Sequence, residues 1–419
     1  MQQEYFLDVV FGHITVQKIE LILSGKANDD LCDQNQLCDT IKKFMTDTLE
    51  ELLVNPEKTM TSIIKRVATG PELSKSISYD EARAGMLLVL DELADPIQSA
   101  VFLIGLRVKR ETDDENKGVL QAILDRTKII EADVDELVDI ADPYNGYARS
   151  LPSSPFLAAL LAESGVPAVS HGIETVAPKF GVTHSQILSE AGVSVNLTVE
   201  EIGKQISNPE IGWAYADQSS FCPSLYGLTD FRRRIVKRAA ISTAEVLTGP
   251  IRGRKKTHLV SGYVHNEYPP IYTMLARHSG FNSTLLLRGT EGGVTPSLRK
   301  RGEFVRYWED SQDMIVEADP NEIGIESENR LVQIPPALLP EKDGDFGPDK
   351  NNGEIAKISA KEGLAALQGS RSATSDALLF SASLTLWHLE RFSSVEAAAV
   401  SVRKILSSGK AAERFKRAA

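Results

Sequence analysis

The residues of this chain best suited to chemistry follow a short apolar run at residues 166–169. They are Ser170-His171-Gly172, and then Lys179 and Gly181 beyond a loop. An imidazole, an ammonium group and a backbone that lacks side chains are groups that can hold a phosphate or a carboxylate. The pattern therefore predicts an anion-binding site.

The elements around these residues predict how they are positioned. The apolar run is typical of a buried strand, and a helical pattern follows the loop. Upstream, Ser154 and Pro155 are the N-cap and the first residue expected of another apolar helix. Residues 257–264 and 283–289 are further β-rich runs. Alternating strands and helices indicate a doubly wound sheet, in which ligands bind beyond the carboxyl ends of the strands.

We therefore predict an α/β fold with an N-terminal all-α subdomain and a larger domain that holds a mostly parallel sheet flanked by helices. The expected divisions are a helical extension of unknown role at 1–70, an α-helical subdomain at 71–136 and an α/β domain at 137–419. Within the subdomain, Ser78 and Glu81 have the spacing of a helix-starting capping box.

The composition is that of an ordinary globular protein, with 419 residues, of which 42% are hydrophobic and 25% are charged. No apolar run reaches the roughly 18 to 20 residues that a membrane-spanning helix needs, so we expect no membrane contact. The N-terminus lacks a basic leader, and the three cysteines form no metal-binding pattern. We expect a cytoplasmic protein with reduced thiols, or an organellar stroma if a transit segment has been removed.

The charge is unevenly distributed along the chain. The net charge is -12, yet residues 232–256 contain nine basic residues and one acid, and Arg299-Lys300-Arg301 follow later. Such clusters can be solvated faces or can together form an anion-binding face. We favour the anion-binding interpretation, with Arg232, Arg233 and Arg234 as candidate ligands of phosphate or of a polyanion such as nucleic acid.

The order of motifs resembles the anthranilate phosphoribosyltransferase family, in a divergent branch of that family. The resemblance covers about residues 73–419 and rests on FLIGLRVKRET, the strand ending in His-Gly, the Thr-Gly-Pro turn at 248–250, the turn RGTEGGV and the tail SDALLF…SVEAAAVSVRKILSSGKAAERF. It implies homodimers that transfer a phosphoribosyl group from phosphoribosyl pyrophosphate to an amine, with Mg²⁺. The apolar excess at Phe102, Leu103 and Leu106 then predicts the dimer interface.

The resemblance also implies site residues, which are those that fall on the family's motifs. The expected substrate and phosphate ligands are Asn145, Gly146, Ser153, Ser154, His171, Gly172, Lys179, Gly181, Arg232, Arg233 and Arg234. Where the family's glycine loop would be, at 141–146, Pro143 lacks an amide hydrogen and Tyr144 brings bulk. The family's acidic pair falls on Gly292-Gly293, which leaves Glu291 as the candidate metal ligand.

Three functions remain open from the sequence. The first, which we place ahead, is a phosphoribosyltransferase with a nitrogenous acceptor that the sequence does not identify and that is not efficiently anthranilate. The second is a catalytically silent relative that binds nucleic acid or another polyanion. The third is a scaffold that recruits a partner through residues 1–70.

Overall fold

The computed structural model describes residues 49–70, 72–339 and 351–418. The predicted helical extension therefore lies mostly outside the described residues, and so does much of the long loop near residue 345. The chain divides into two compact units, Met1–Thr59 and Met60–Ala419. Residues 49–54 are helical. The three-part division at residues 70 and 136 stays a prediction.

The first part of the described chain is helical, as the sequence predicts. Its helices are α1 (Pro56–Val67), α2 (Tyr79–Leu90), α3 (Pro96–Lys109) and α4 (Asp113–Asp125). The capping box at the start of α2 is confirmed, because Ser78 Oγ accepts from Glu81 N at 3.2 Å and a Glu81 carboxylate oxygen accepts from Ser78 N at 3.0 Å. Each such cap satisfies backbone N–H groups that the helix itself leaves unpaired.

The residues predicted to form a dimer interface are buried inside the fold. Phe102, Leu103 and Leu106 on α3 are each 0% exposed. Phe102 packs so closely on α2 that a Cβ atom at Gly85 would lie 2.9 Å from its ring. The apolar excess of α3 is therefore used within the subunit, and an interface through these three residues is ruled out. The homodimer itself stays a prediction.

A seven-stranded sheet forms the centre of the larger part, and its spatial order is β4-β3-β2-β6-β7-β8-β9. The pairs from β4 to β7 are parallel, whereas β8 and β9 are antiparallel additions. The mostly parallel sheet is thus confirmed. The strands are β1 (Ile130–Ala132), β2 (Glu136–Ala141), β3 (Ala168–Gly172), β4 (Trp213–Asp217), β5 (Ile251–Gly253), β6 (Lys256–Tyr263), β7 (Ser283–Arg288), β8 (Gly302–Trp308) and β9 (Met314–Ala318), of which β1 and β5 pair separately.

Helices flank the sheet and bury its faces. They are α5 (Leu157–Glu163), α6 (His184–Glu190), α7 (Val199–Ser207), α8 (Gln218–Phe221), α9 (Pro223–Gly227), α10 (Thr229–Ile235), α11 (Ile241–Ala244), α12 (Pro269–His278), α13 (Asn352–Leu367), α14 (Ala373–His388), α15 (Val395–Ser408) and α16 (Lys410–Lys416). Aromatic packing joins the C-terminal helices to the sheet, with Trp213 stacked on Phe415 at 4.9 Å between ring centroids. No helix in the described part of the chain is long and apolar enough to cross a membrane.

A buried histidine network joins α14 to the amino-terminal edge of the sheet. His258 on β6 contacts Ser283 Oγ through Nδ1 at 2.7 Å and Glu136 Oε1 through Nε2 at 2.8 Å. Ser283 Oγ also contacts His388 Nε2 at 2.8 Å. Burial and the nearby Lys256 lower the pKa of His258 to about 4, and burial lowers the pKa of His388 well below its ordinary value.

This network predicts a loss of stability in acid. Both imidazoles are held neutral in the folded protein, so their contribution is complete above the unfolded pKa of about 6.5 and is lost as the pH falls toward the folded value. For His258 alone the loss between pH 7.5 and pH 5 is about 2 kcal/mol. We expect urea unfolding to show this decrease in the wild type and a smaller pH dependence in His258→Gln. Equal pH dependence in the two proteins would contradict the assignment.

Candidate functional site

A buried carboxylate immediately after β2 organises the loops at the carboxyl edge of the sheet. Asp142 Oδ2 accepts hydrogen bonds from Tyr147 Oη and His184 Nε2, each at 2.7 Å, and Oδ1 accepts from Val294 N at 2.8 Å. Ser154 Oγ also donates to Oδ2. Burial alone would raise the pKa of Asp142, but His184 and the hydroxyl donors outweigh burial and lower it. Asp142 thus stays ionised and joins three separate segments.

The turn after β7 is shaped by this cluster. A Cβ atom at Gly293 would lie 1.5 Å from Tyr147 Oη and 3.0 Å from Asp142 Oδ1. Glycine is therefore required at 293 for steric reasons, which the comparison with the family's acidic pair did not reveal. Ser154, a predicted phosphate ligand, is engaged with Asp142, whereas the buried Ser153 Oγ has no hydrogen-bond partner within the described residues.

His171 lies inside the sheet and not in a ligand loop. Its Nε2 contacts Asp139 Oδ1 at 2.8 Å, its Nδ1 contacts Tyr144 Oη, and its ring meets Phe221 edge-on. Both ring nitrogens are thus used within the protein, and the geometry favours an anchoring role. The sequence interpretation of Tyr144 is also corrected, because its ring is directed into the interior to meet His171 instead of crowding a ligand.

Gly146 and Gly181 lie where the backbones of two loops pass too close together for a side chain to fit between them. Tyr147 and Val182 exchange backbone hydrogen bonds at 2.8 and 2.7 Å, and a Cβ atom at Gly146 would lie 2.4 Å from the Gly181 carbonyl oxygen. Gly146 also has a φ of +72°, which residues other than glycine rarely adopt. Gly172 is less restricted, since its Cβ would lie 3.3 Å from Tyr215 Oη.

Lys179 and Glu291 form a buried ion pair at the same edge. Lys179 Nζ lies 2.5 Å from Glu291 Oε2 and donates to the Gly146 carbonyl at 2.7 Å. Burial alone would raise the pKa of Glu291, but Lys179 and backbone donors outweigh it and lower it. Burial lowers the pKa of Lys179, and Glu291 offsets this only in part. The sequence singled out both residues without indicating that they pair.

A cavity of about 190 Å³ opens beyond the carboxyl ends of β2 and β6. Its polar lining comes from Arg107, Asn145, Arg238, Ser242, Thr243, Ser261, His265, Tyr268, Tyr272 and Glu291. Arg107 on α3 donates to Tyr268 Oη at 2.5 Å. Of the predicted ligands, only Asn145 and the proposed metal ligand Glu291 line this cavity. Arg107 belongs to the motif FLIGLRVKRET, and Arg238 belongs to the basic run at 232–256. The sequence thus pointed to both segments but did not indicate which residue of each lines the cavity.

The predicted arginine cluster does not line the cavity. Arg232 is buried in a bidentate pair with Glu245, with both N–O distances 2.7 Å. Arg233 and Arg234 are exposed on α10 and pair with Asp230. Arg254 and Lys255 pair with Asp133 and Asp135, Lys256 pairs with Glu309, and Arg301 pairs with Glu317 and Glu322. Most of the basic clusters are thus neutralised by acids from elsewhere in the chain.

The described residues do not fit a magnesium ion held by protein carboxylates. Both Glu291 oxygens already accept hydrogen bonds or the Lys179 ion pair. Within residues 49–70, 72–339 and 351–418, no group of three or more His, Cys, Asp or Glu side chains could hold a metal. Mg²⁺ prefers several oxygen ligands around it, so Glu291 is not placed as a metal ligand.

The close packing of Gly293 gives a prediction about stability. We expect Gly293→Ala to lower the free energy of unfolding by about 1–3 kcal/mol, because the new methyl overlaps Tyr147 and forces the Asp142 cluster apart. Gly353→Ala is the matched control, since a Cβ there meets no atom within 4 Å. Chemical denaturation measures both, and equal stability of the two variants would contradict the packing argument.

The sequence of this chain is similar to sequences of known glycosyl transferases. Residues 61–127 match the helical bundle domain of a glycosyl transferase family. An anthranilate phosphoribosyltransferase of Bacillus mycoides is 25% identical over 355 residues, which cover 84% of this chain and 94% of that protein.

Two solved structures have the same fold. The anthranilate phosphoribosyltransferase of Thermus thermophilus matches with a TM-score of 0.64 and 19% identity, covering 85% of this chain and 97% of that one. The Saccharomyces cerevisiae protein, in complex with PRPP (phosphoribosyl pyrophosphate) and Mg, matches with a TM-score of 0.65 and 16% identity, covering 86% and 96%. The chain is thus similar in sequence and in fold to anthranilate phosphoribosyltransferases, and its N-terminal helices match the helical bundle domain of a glycosyl transferase family.

Proposed function

We propose that this protein is a phosphoribosyltransferase that uses phosphoribosyl pyrophosphate and a nitrogenous acceptor. The observation that carries the proposal is the cavity beyond β2 and β6, which has Arg107 and Arg238 in its wall and the Lys179–Glu291 pair at its edge. Cations and backbone amides at the carboxyl ends of parallel strands suit a ligand with several phosphate charges.

The reaction needs little covalent chemistry from the protein. The bond between ribose C1 and the pyrophosphate oxygen breaks, and pyrophosphate leaves with the electron pair. The acceptor nitrogen forms a new bond to C1 and releases a proton to solvent. Arg107, Arg238 and Lys179 would stabilise the negative charge that grows on the leaving group, which is the usual contribution of preorganised cations. Mg²⁺ belongs to the proposal only as an ion that accompanies the substrate.

The predicted site residues contribute to this proposal unequally. We assign Asn145 and Lys179 to ligand binding, Gly146 and Gly181 to the backbone approach that places them, and Arg238 to the cationic role that the sequence gave to its neighbours. His171 and Ser154 act by anchoring β3 and Asp142. Pro143 lines the cavity and has no backbone N–H, so residue 143 cannot donate a hydrogen bond to pyrophosphate, and we expect inefficient turnover with anthranilate.

The alternative of a polyanion or nucleic-acid binder is not favoured. Nucleic acids are bound by cationic side chains that neutralise the phosphates and thereby release the counterions condensed around them. Such side chains must not already be paired with acids of the protein. In the structure, residues of both the 232–256 run and the 299–301 cluster are engaged in ion pairs with acids of the same chain. Arg232 in particular is buried against Glu245, so reversing its charge would disrupt folding instead of testing binding.

The proposal predicts that Arg238→Ala weakens binding of phosphoribosyl pyrophosphate at least tenfold, about 1.4 kcal/mol, in calorimetry with Mg²⁺ present. Arg233→Ala is the matched control, because this exposed arginine pairs with Asp230 and does not line the cavity. We expect the control to bind like the wild type.

Two results would count against the proposal. If the wild type binds no phosphoribosyl pyrophosphate at millimolar concentration, the transferase assignment fails. If both variants weaken binding equally, the ligand is attracted by general charge and not by the cavity.

A further inference from the structure

Glu291 reaches across the carboxyl edge of the sheet into a segment far away in sequence. Its side chain is 3% exposed. Oε1 accepts from Arg149 N at 2.8 Å and from Ser150 Oγ at 2.9 Å. Oε2 accepts from Ala148 N at 3.0 Å and lies 2.5 Å from Lys179 Nζ. One carboxylate therefore satisfies four donors.

These four donors together form an anion cradle, which we define as Ala148 N, Arg149 N, Ser150 Oγ and Lys179 Nζ. Two successive backbone N–H groups, a hydroxyl and an ammonium group are the donors that proteins commonly direct at phosphate oxygens. Nothing in the set is selective for a carboxylate over a phosphate. A phosphate group carries more charge and more acceptor oxygens than the glutamate that now lies there.

The anion cradle borders the proposed substrate cavity. Glu291 itself lines that cavity, together with Gly292 and Arg238. A phosphate that enters the cavity therefore meets the Glu291 carboxylate, which repels it and already holds the donors. As long as Glu291 stays in place, the cradle is closed to ligands.

The segment that carries Glu291 is short, and both of its ends are packed against the rest of the protein. Gly289 and Gly293 are packed closely against each other, since a Cβ atom at Gly289 would lie 2.3 Å from the Gly293 carbonyl oxygen. The next residue, Val294, is held in place because its backbone N–H donates to Asp142. Between these fixed points, Thr290 is exposed and Gly292 has a φ of +91°. A ligand that displaces the carboxylate would therefore need a rearrangement of residues 290–292 only, since Val294 stays bonded to Asp142.

We propose that Glu291 is an intramolecular competitor that occupies an anion site, and that a phosphate or pyrophosphate group binds the anion cradle by displacing it. The inference rests on the proposed function for the identity of the ligand, but the cradle itself is a property of residues 148–150 and Lys179. Exchange of one anion for the other keeps Lys179 paired and the backbone amides hydrogen-bonded. The competition sets how strongly this site holds its phosphate ligand.

Removal of the competitor has two opposite effects that a merely structural ion pair would not show together. Without the carboxylate, the buried Lys179 ammonium and two amides lose their partner, so the protein is less stable in a buffer that lacks binding anions. An added anion then takes the empty place and restores stability, because a ligand that binds only the folded state stabilises it.

The test compares wild type, Glu291→Ala and Glu291→Gln with inorganic pyrophosphate as the probe, in a buffer free of other multivalent anions. Calorimetry gives the affinity and thermal unfolding gives the stability. We expect Glu291→Ala to bind pyrophosphate at least tenfold more tightly than the wild type and to show the larger rise in melting temperature on its addition. Glu291→Gln keeps the side-chain shape without the charge and should lie between the two.

Glu303→Gln is the control, because Glu303 is an exposed acid at the rim of a different cavity and pairs with Arg288 at 4.0 Å. It removes the same charge and should leave pyrophosphate affinity unchanged. Equal or weaker binding by Glu291→Ala, or a melting temperature that pyrophosphate does not raise, would overturn the proposal. If Glu291→Ala does not fold, the same comparison of affinity with Glu291→Gln decides the question.

Failure of the anion-cradle proposal and failure of the transferase assignment give different results in these experiments. If pyrophosphate binds Glu291→Ala tightly but no variant binds or consumes phosphoribosyl pyrophosphate, the anion cradle stands and the transferase assignment fails. If the wild type consumes phosphoribosyl pyrophosphate and Glu291→Ala shows the same Michaelis constant for it, the transferase assignment stands and the competition is refuted.

Discussion

The carboxyl edge of the sheet depends on one buried charge, the Asp142 carboxylate. A carboxylate away from water is costly unless donors surround it, and four groups from three distant segments supply them. The donors stabilise the buried charge of Asp142, and the hydrogen bonds to Asp142 in turn hold the segments that carry the donors in place. Val294 at the end of the turn after β7, the loop that carries Tyr147 and Ser154, and the start of α6 thereby acquire fixed relative positions.

Charge neutralisation within the chain explains why the basic runs are a poor guide to ligand binding. Arg232 is balanced by a buried Glu245, and Arg254 and Lys255 are balanced by acids that precede β2. What remains directed at the cavity is a smaller set, chiefly Arg107 and Arg238. A focused site with a few cations suits a small phosphorylated ligand better than an extended polymer, which needs many unpaired cations along its path.

The site combines a preserved architecture with altered contents. The parallel sheet has a cavity at its carboxyl edge, and Gly146 and Gly181 allow two loops to make close backbone contact there. At this edge Pro143 lines the cavity without an N–H group, and the donors of residues 148–150 hold a glutamate of the chain itself. The donors that could face a ligand at this edge are therefore partly occupied by an acid of the same chain.

Local features of the fold were determined by the sequence because they depend on residues only a few positions apart. The Ser78–Glu81 capping box, the buried strand that ends at Gly172, and the alternation of strands and helices that makes a parallel sheet all belong to this class. They follow from capping, apolar periodicity and the right-handed crossover of parallel strands, which act within short segments.

The roles of the individual site residues were decided by the tertiary structure. His171 meets Asp139, Arg232 meets Glu245, and Glu291 meets Ala148 at a separation of 143 residues. No local pattern shows which acid will neutralise which base, because that choice depends on where the folded backbone brings them together. A residue that the sequence predicts to be a ligand can therefore be paired with another group inside the protein. The alternation of strands and helices predicts a cavity beyond the carboxyl ends of the strands, whereas the path of the folded backbone decides which side chains line it.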